Sequence, residues 1–205
     1  MSIPEILKSR RSIRKYQNRP VSKEVLRQIL EVASYAPSAH NAQPWRFIIL
    51  AEPNQKNALA DAMAQAWNAE LEGDNIPLTM RHSKVHRSTE RFTAAPVLIL
   101  ACLSLENMDS YPDSIRQGSE RDLAVQSLAA ALQNLLLAAH VRGLGACWYC
   151  APLFCKRAVQ AVLQIPKEVE PQALITIGYP DEAPMTPLRK PLSEWVYRGK
   201  WGFTF

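Results

Sequence analysis

The segment Pro37-Ser38-Ala39-His40-Asn41-Ala42-Gln43-Pro44-Trp45 and the earlier segment Arg10-Arg11-Ser12-Ile13-Arg14 are the most informative stretches of this 205-residue chain. The earlier stretch, the arginine segment, holds three guanidinium groups, which pair bidentately with phosphate oxygens. The later stretch, the polar loop, offers hydroxyl, imidazole and amide groups suited to the edge of a heteroaromatic ring, and its prolines restrict the backbone. Together they predict a mononucleotide site.

Each of the two stretches has an ordinary alternative interpretation when it is taken alone. An Arg-rich pentamer is usually a solvated surface or a nonspecific anionic-ligand patch, and a Pro-rich loop is usually only a connection. Their occurrence together, in this order and at this separation, is more specific than either one.

Composition is that of an ordinary globular chain, with 47% hydrophobic and 21% charged residues and a net charge of +5. The length predicts one domain over residues 1–205. Basic residues are scattered among acidic ones, so we expect no nucleic-acid partner. No uninterrupted apolar run of about 18 residues and no signal-peptide pattern occur, so we expect no membrane partner and a cytoplasmic location.

The cysteines and two histidines raise the question of a metal site. Four cysteines are present, at Cys102, Cys147, Cys150 and Cys155. The last three form a Cys-x2-Cys-x4-Cys pattern, but apolar residues separate them and no fourth ligand is near in sequence. His82 and His86 have the i, i+4 spacing of a zinc pair and lack a third ligand. We therefore predict no metal site.

Hydrophobic periodicity predicts alternating helices and strands. Helices are expected from Ser2 to about Arg10 and over 22–36, 54–69, 120–141 and 152–164, and strands over 45–51, 96–102, 146–150 and 172–179. This alternation predicts an α/β sandwich whose sheet is covered on both faces. The helix 120–141 is apolar on nearly all sides, which predicts burial against a second subunit as well as the sheet. The aromatic residues of the tail also need a surface to cover them: Trp195, Tyr197, Trp201, Phe203 and Phe205.

In its arginine segment and polar loop the chain resembles the nitroreductase family of FMN-dependent oxidoreductases, and the resemblance spans nearly the whole sequence. It implies a three-layer α/β sandwich with a mixed, mainly antiparallel sheet. It also implies a homodimer with FMN at the subunit interface, a domain-swapped C-terminal tail that wraps onto the partner, and NAD(P)H as donor. A Rossmann fingerprint is absent, because Gly143-Leu144-Gly145 follows a predicted helix and has no third glycine.

The resemblance assigns cofactor-binding residues in four groups. Arg10, Arg11, Ser12 and Arg14 are placed at the phosphate and ribityl chain of FMN. Pro37, Ser38, His40, Asn41 and Gln43 are placed at the edge of the partner's flavin. Trp148, Tyr149, Cys150 and Ala151 lie in the stretch that supplies backbone donors near the redox-active nitrogen. Arg189 and Lys190 are placed at a late phosphate contact, with a solvated charge pair as the alternative.

No catalytic acid or nucleophile is required, because a flavin carries the hydride chemistry itself. His40 is a candidate proton relay, and a structural loop histidine is the alternative. The acceptor is expected to be a small organic molecule such as a nitroaromatic or a quinone. The stretch from Cys147 also resembles reductase domains of deazaflavin coenzyme biosynthesis, whose substrate is anionic, and the basic segment 80–91 could form a wall for it or a solvated helix face. A flavin or deazaflavin carrier and an oxygen-using flavin-cleaving enzyme are the alternative functions.

Overall fold

A computed structural model describes residues 2–205 and contains a four-stranded sheet in the order β1-β2-β4-β3. The strands are β1 (Trp45–Leu50), β2 (Val97–Ser104), β3 (Gly145–Tyr149) and β4 (Val169–Gly178). All three strand pairs are antiparallel. The predicted strands are confirmed, with β4 beginning earlier than Gln172.

Helices cover both faces of the sheet, as the sequence predicts. They are α1 (Ile3–Ser9), α2 (Lys23–Ser34), α3 (Pro53–Gly73), α4 (Leu78–Thr93), α5 (Ser114–Val141) and α6 (Lys156–Val162). Short 3₁₀ turns occupy Ala39–Asn41, Ala151–Phe154 and Leu192–Glu194. The single helix expected over 152–164 is therefore wrong: Cys155, with an extended φ of −137°, separates a 3₁₀ turn from α6.

The side chains of β2 alternate between two hydrophobic cores, because successive residues of a strand point to opposite faces. Val97, Ile99, Ala101 and Leu103 pack in the core that also contains residues of α2 and α5. Leu98, Leu100 and Cys102 pack in the core that contains residues of α3 and α6. Every residue of β2 is buried, so this central strand fixes the three-layer arrangement.

Helix α5 is longer than predicted and begins at Ser114 rather than Glu120. The Asp113 carboxylate accepts a hydrogen bond from the Arg116 backbone N–H at 2.9 Å and caps the first turn. By length and composition α5 could cross a membrane, but half of its most apolar stretch is buried in this fold, as in a core helix. Its burial is one-sided: Leu123 and Val141 remain 39% and 49% exposed.

The C-terminal tail folds on itself and leaves its aromatic residues uncovered. Tyr197 pairs with Thr204 in a short bridge and stacks on Trp201 with ring centroids 4.5 Å apart. Trp195, Trp201, Phe203 and Phe205 are 59–86% exposed. The chain itself therefore does not provide the surface that the sequence predicts for covering these residues.

Candidate functional site

The arginine segment is fixed along the free edge of β3. Ser12 bridges Ala146 in a parallel pairing, and the Ile13 N–H donates to the Ala146 carbonyl at 3.0 Å. Gly145 permits this approach, because a Cβ at that position would lie only 2.6 Å from the Cβ of Ile13. The close packing therefore holds the backbone of the arginine segment against the sheet.

Two hydrogen bonds of Tyr16 secure the end of the arginine segment. Its hydroxyl donates to the Ile13 carbonyl at 2.5 Å and lies 2.6 Å from the Thr176 Oγ1. Burial raises the pKa of Tyr16, so the hydroxyl stays neutral at ordinary pH. These contacts fix the backbone of the arginine segment near Ile13.

The guanidinium groups of Arg10, Arg11 and Arg14 have no carboxylate partner within 4.0 Å in the described part of the chain. Arg11 donates to the Lys8 carbonyl at 2.6 Å and to the Thr186 hydroxyl. Burial, and then the charges of Arg10 and Arg11, lower the pKa of His140 at the end of α5. The arginine segment thus concentrates positive charge, and its guanidinium groups form no direct ion pair among the described residues, although the Glu182 carboxylate accepts a hydrogen bond from the Arg14 backbone N–H.

The stretch after β4 returns alongside the arginine segment. The Asp181 N–H donates to the Lys15 carbonyl at 3.0 Å, and the Lys15 N–H donates to the Glu182 carboxylate at 3.1 Å. This brings Thr186 to Arg11, three residues before the predicted late contact at Arg189. Lys190 instead pairs with Glu194 at 3.5 Å on the surface, which agrees with the solvated alternative for that residue.

The polar loop has an unusual backbone. His40, Asn41 and Gln43 have positive φ values of 55°, 52° and 48°. Non-glycine residues seldom adopt this region, and a cluster of them persists only where surrounding contacts impose it. Here the Ala39 N–H donates to Ser127 Oγ of α5 at 3.1 Å, and the Gln43 N–H donates to Ser38 Oγ at 3.2 Å. The loop is therefore a fixed feature of the fold.

The side chains of the polar loop face outward. Pro37, His40, Asn41 and Gln43 are exposed and Ser38 is half-buried. The Gln43 side-chain amide donates to the Asn41 Oδ1 at 3.4 Å, a long and weak contact. Both amides line a shallow depression with Trp45 and Arg46. Their hydrogen-bonding groups are thus available to a molecule outside the subunit.

The arginine segment and the polar loop lie at diagonally opposite corners of the sheet. The polar loop leads into β1 at one edge, whereas the arginine segment lies outside β3 at the other. Four inter-strand spacings separate them, about 19 Å. The two segments are also offset along the strand direction. Trp45 pairs with Leu103 of β2, whereas Ser12 is aligned with Val97 of β2 through the strand pairings of Ala146 and Ile177. The six residue steps from Val97 to Leu103 correspond to an offset of about 20 Å. Combined at right angles, these two distances place the backbones of the two segments roughly 27 Å apart.

The stretch 148–151 runs from the end of β3 into the 3₁₀ turn. The indole N–H of Trp148 and the hydroxyl of Tyr149 are buried and have no hydrogen-bond partner among the described residues. Tyr149 meets Phe92 edge to face at 5.3 Å, and burial raises its pKa. Cys150 is exposed and Ala151 is half-buried. Trp148 packs against the core that contains α2 and α5, whereas Tyr149 packs against the core that contains α3 and α6, because successive residues of a strand point to opposite faces.

A cavity of about 300 Å³ opens beside Ala151. It is lined by Ala60, Met63, Ala64, Trp67, Glu70, Ser88, Thr89, Phe92, Ala151, Phe154 and Cys155. The walls are mostly apolar or aromatic, and Glu70 is the one charged group among them. Burial raises the pKa of the Cys155 thiol to about 11, so the thiol is protonated and unreactive at neutral pH.

The basic segment 80–91 lies on α4, and its cations do not line this cavity. Arg81 is buried and pairs with Glu72 at 3.1 Å. Arg91 lies over the Tyr149 ring at 5.6 Å. His86 pairs with Glu90 at 3.3 Å, and the pair is exposed. Of the two interpretations considered for this segment, the basic wall is therefore not formed by its cations around this cavity.

Sequence reasoning missed the partners of His40. Its Nε2 lies 3.4 Å from the Oε1 of Glu120 and 3.9 Å from the Oδ2 of Asp109. These carboxylates come from α5 and from the connection that precedes it, and no sequence spacing relates them to His40. These contacts are consistent with the alternative in which His40 is a structural loop histidine. The role of His40 as a proton relay remains a prediction.

Comparison with known proteins identifies the family. The sequence profile of the nitroreductase family matches residues 7–179. A candidate NADH dehydrogenase/NAD(P)H nitroreductase of Methanothermobacter thermautotrophicus is 34% identical over 204 residues, covering 95% of this chain and 88% of the relative.

Solved structures agree with the sequence comparison. A BluB-like flavoprotein from Clostridium difficile 630 superposes with a TM-score of 0.80 at 26% identity, covering 98% of this chain and 100% of the other. A candidate nitroreductase from Desulfovibrio desulfuricans, crystallised in complex with FMN, gives a TM-score of 0.74 at 27% identity and 98% coverage of both chains. With the profile match over nearly the whole sequence, these likenesses establish that the chain is an oxidoreductase and belongs to the flavin-dependent nitroreductase family.

Proposed function

We propose that this protein is a homodimeric, cytoplasmic FMN-dependent oxidoreductase that takes hydride from NAD(P)H and reduces a small, neutral aromatic or quinone-like acceptor. The observation that carries the proposal is the placement of the arginine segment and the polar loop at opposite corners of the sheet. Their backbones lie roughly 27 Å apart along a sheet whose faces are covered by helices, so we expect the two features of one chain to contact different flavins.

The arginine segment would hold the phosphate of FMN. Arg10 and Arg11 lack carboxylate partners, and after burial their positive charge is the next cause that lowers the pKa of the neighbouring His140. A dianionic phosphate would compensate this charge through charge-assisted hydrogen bonds. Arg189, near Thr186 in sequence, would complete the contact. One phosphate clamp without an adenylate site favours FMN over FAD.

The polar loop of the partner subunit would then cover the flavin ring. The amides of Asn41 and Gln43 face outward, where they would meet a ring held by the other chain. Two further features favour a dimer. The aromatic tail is exposed, and an apolar groove of about 360 Å³ runs between α1, α2 and α5 past Leu7, Val32 and Val141. Exposed apolar surface of this kind is typical of an interface.

A bound FMN would supply the hydride chemistry, and this chain's residues would bind, orient and shield it. The side chains of Trp148 and Tyr149 lie on opposite faces of the sheet, so the flavin contacts of the stretch 148–151 would come from its backbone N–H groups. The apolar cavity beside Ala151 would receive the acceptor. Its carboxylate at Glu70 disfavours an anionic substrate, including a phosphorylated, carboxylated deazaflavin precursor.

Measurements of FMN affinity test whether the arginine segment and Arg189 hold the phosphate. The wild-type protein should carry or take up one FMN per subunit, and Arg10→Ala and Arg189→Ala should each weaken binding by roughly tenfold to a hundredfold. Arg157→Ala is the control, because Arg157 is exposed on α6 and far along the chain from the arginine segment and the polar loop. Unchanged affinity in both test variants, or binding of FAD instead of FMN, would refute this assignment.

Anaerobic mixing with NADH or NADPH tests the activity. Bleaching of the flavin absorbance, followed by its return on addition of a quinone or nitroaromatic, supports the oxidoreductase. Failure with every donor would instead support a carrier. Irreversible loss of flavin in air with reductant would support a flavin-cleaving enzyme.

A further inference from the structure

Three metal-ligating side chains from separate parts of the chain meet beside the polar loop. His40 lies in the 3₁₀ turn, Asp109 lies in the connection between β2 and α5, and Glu120 lies in the second turn of α5. One ligand atom from each residue lies within 4.8 Å of the other two. Among residues 2–205 this is the one group with such an arrangement.

Glu120 is the unusual member of the group. Its side chain is 5% exposed, and its Oε2 is buried without any hydrogen-bond partner. The basic residues nearest to it on α5 are engaged elsewhere: Arg116 pairs with Asp113, and Arg121 pairs with Glu170 at 2.8 Å. A buried carboxylate needs a compensating positive charge. The described protein atoms supply only the imidazole of His40 at 3.4 Å, a distance too long for a strong hydrogen bond.

The spacing of the three ligand atoms fits a tetrahedral transition-metal ion. Metal bonds of about 2.0–2.1 Å to imidazole nitrogen and carboxylate oxygen place neighbouring ligand atoms about 3.3–3.4 Å apart in a tetrahedron. The separation of His40 Nε2 and Glu120 Oε1 is 3.4 Å. The Asp109 Oδ2 is 3.9 Å from the same nitrogen, and this side chain is 60% exposed and free to move closer.

We propose that His40, Asp109 and Glu120 bind a divalent transition-metal ion, best represented by Zn²⁺, with water as the fourth ligand. One imidazole and two carboxylates suit Zn²⁺ better than Mg²⁺ or Ca²⁺, which prefer all-oxygen sites with more ligands. The ion neutralises the buried carboxylate of Glu120. It also ties the strained polar loop to α5, in addition to the hydrogen bond from Ala39 to Ser127.

The test is Zn²⁺ binding to untagged protein that has been treated with a chelator and retains its flavin. Isothermal titration should show one Zn²⁺ per chain with a dissociation constant of micromolar or lower, and millimolar Mg²⁺ should not compete. His40→Asn and Glu120→Gln should each weaken binding at least a hundredfold. Asp109→Asn should weaken it at least tenfold, and this exposed position is a safeguard if Glu120→Gln disturbs folding.

His86→Asn is the matched control, because His86 and Glu90 form a similar imidazole-carboxylate pair that lacks a third ligand and is exposed. It should leave the affinity unchanged within twofold. Replacing Zn²⁺ by Co²⁺ should give the intense visible absorption of a four-coordinate ion, and His40→Asn should abolish it. Binding that survives His40→Asn and Asp109→Asn, or no stoichiometric binding to the wild-type protein, would overturn the proposal.

Discussion

Gly145→Ala should destabilise the protein and weaken its hold on flavin, because it forces the arginine segment away from β3. The added Cβ would lie 2.6 Å from the Ile13 Cβ and 2.7 Å from the Ile13 Cγ1 and Cγ2. Ile13 is buried, and its Cβ is fixed by its own backbone, so no rotamer relieves the contact. Reaching an ordinary carbon-carbon separation requires a backbone shift of about 1 Å.

The cost of Gly145→Ala combines two effects. Overpacking of this kind costs about 1–3 kcal/mol. Loss or lengthening of the 3.0 Å hydrogen bond from the Ile13 N–H to the Ala146 carbonyl adds about 1 kcal/mol. We therefore expect the free energy of unfolding to fall by about 2–4 kcal/mol. FMN binding should weaken by about tenfold or more, because displaced guanidinium groups that lose about 1.4 kcal/mol of binding free energy raise the dissociation constant tenfold.

Gly118→Ala is the matched control for the glycine substitution. Gly118 lies inside α5, and an added Cβ there would meet no atom within 4 Å. Alanine is the better helix former, so this variant should be stabilised by about 0.5–1 kcal/mol. Urea unfolding followed by circular dichroism, at one protein concentration, measures both changes. If Gly145→Ala unfolds at the wild-type midpoint and binds FMN as tightly, β3 does not position the arginine segment.

Two more predictions concern acid stability and the tail. The hydrogen bonds of Arg121, aided by Lys156 and opposed by partial burial, lower the pKa of Glu170 to about 2. Because the folded pKa lies below the unfolded value, its stabilisation is complete above about pH 4.5 and is lost as the pH falls towards 2. Glu170→Gln should therefore cost about 1–2 kcal/mol at pH 7 and much less near pH 2, where about half of the Glu170 side chains are protonated, as urea unfolding at both pH values would measure; equal costs would contradict the assignment. Deleting residues 195–205 should convert the proposed dimer to a monomer, measured as the molecular mass in solution, and should lower the amount of FMN bound per chain. A soluble monomer fully loaded with FMN would refute the shared site.

The layers of the fold follow from sequence because hydrophobic periodicity reports burial directly. The stretch Val97–Ser104 is buried throughout, and its apolar character identifies it as a central strand. Element ends are set by local contacts that periodicity does not report. Asp113 caps α5 from outside the apolar run, so the helix begins at Ser114 and not at Glu120.

The candidate site is only partly predictable, because some of its contacts join residues far apart in the chain. The arginine segment and polar loop are visible as local concentrations of polar groups. Their placement at opposite corners of the sheet depends on strand order, which sequence alone does not provide. The meeting of His40 with Glu120 depends on the path of α5 past the polar loop, and Asp109 and Glu120 have no distinguishing spacing.

The diagonal arrangement links cofactor binding to assembly in the proposed dimer. Each flavin would take its phosphate contacts from the arginine segment of one subunit and its ring contacts from the polar loop of the other. Linkage then requires FMN to raise the dimer affinity by the same factor by which dimerisation raises the FMN affinity. The exposed aromatic tail and the outward-facing amides of the polar loop fit this dependence, because both would find their contacts only on the second chain of the proposed dimer.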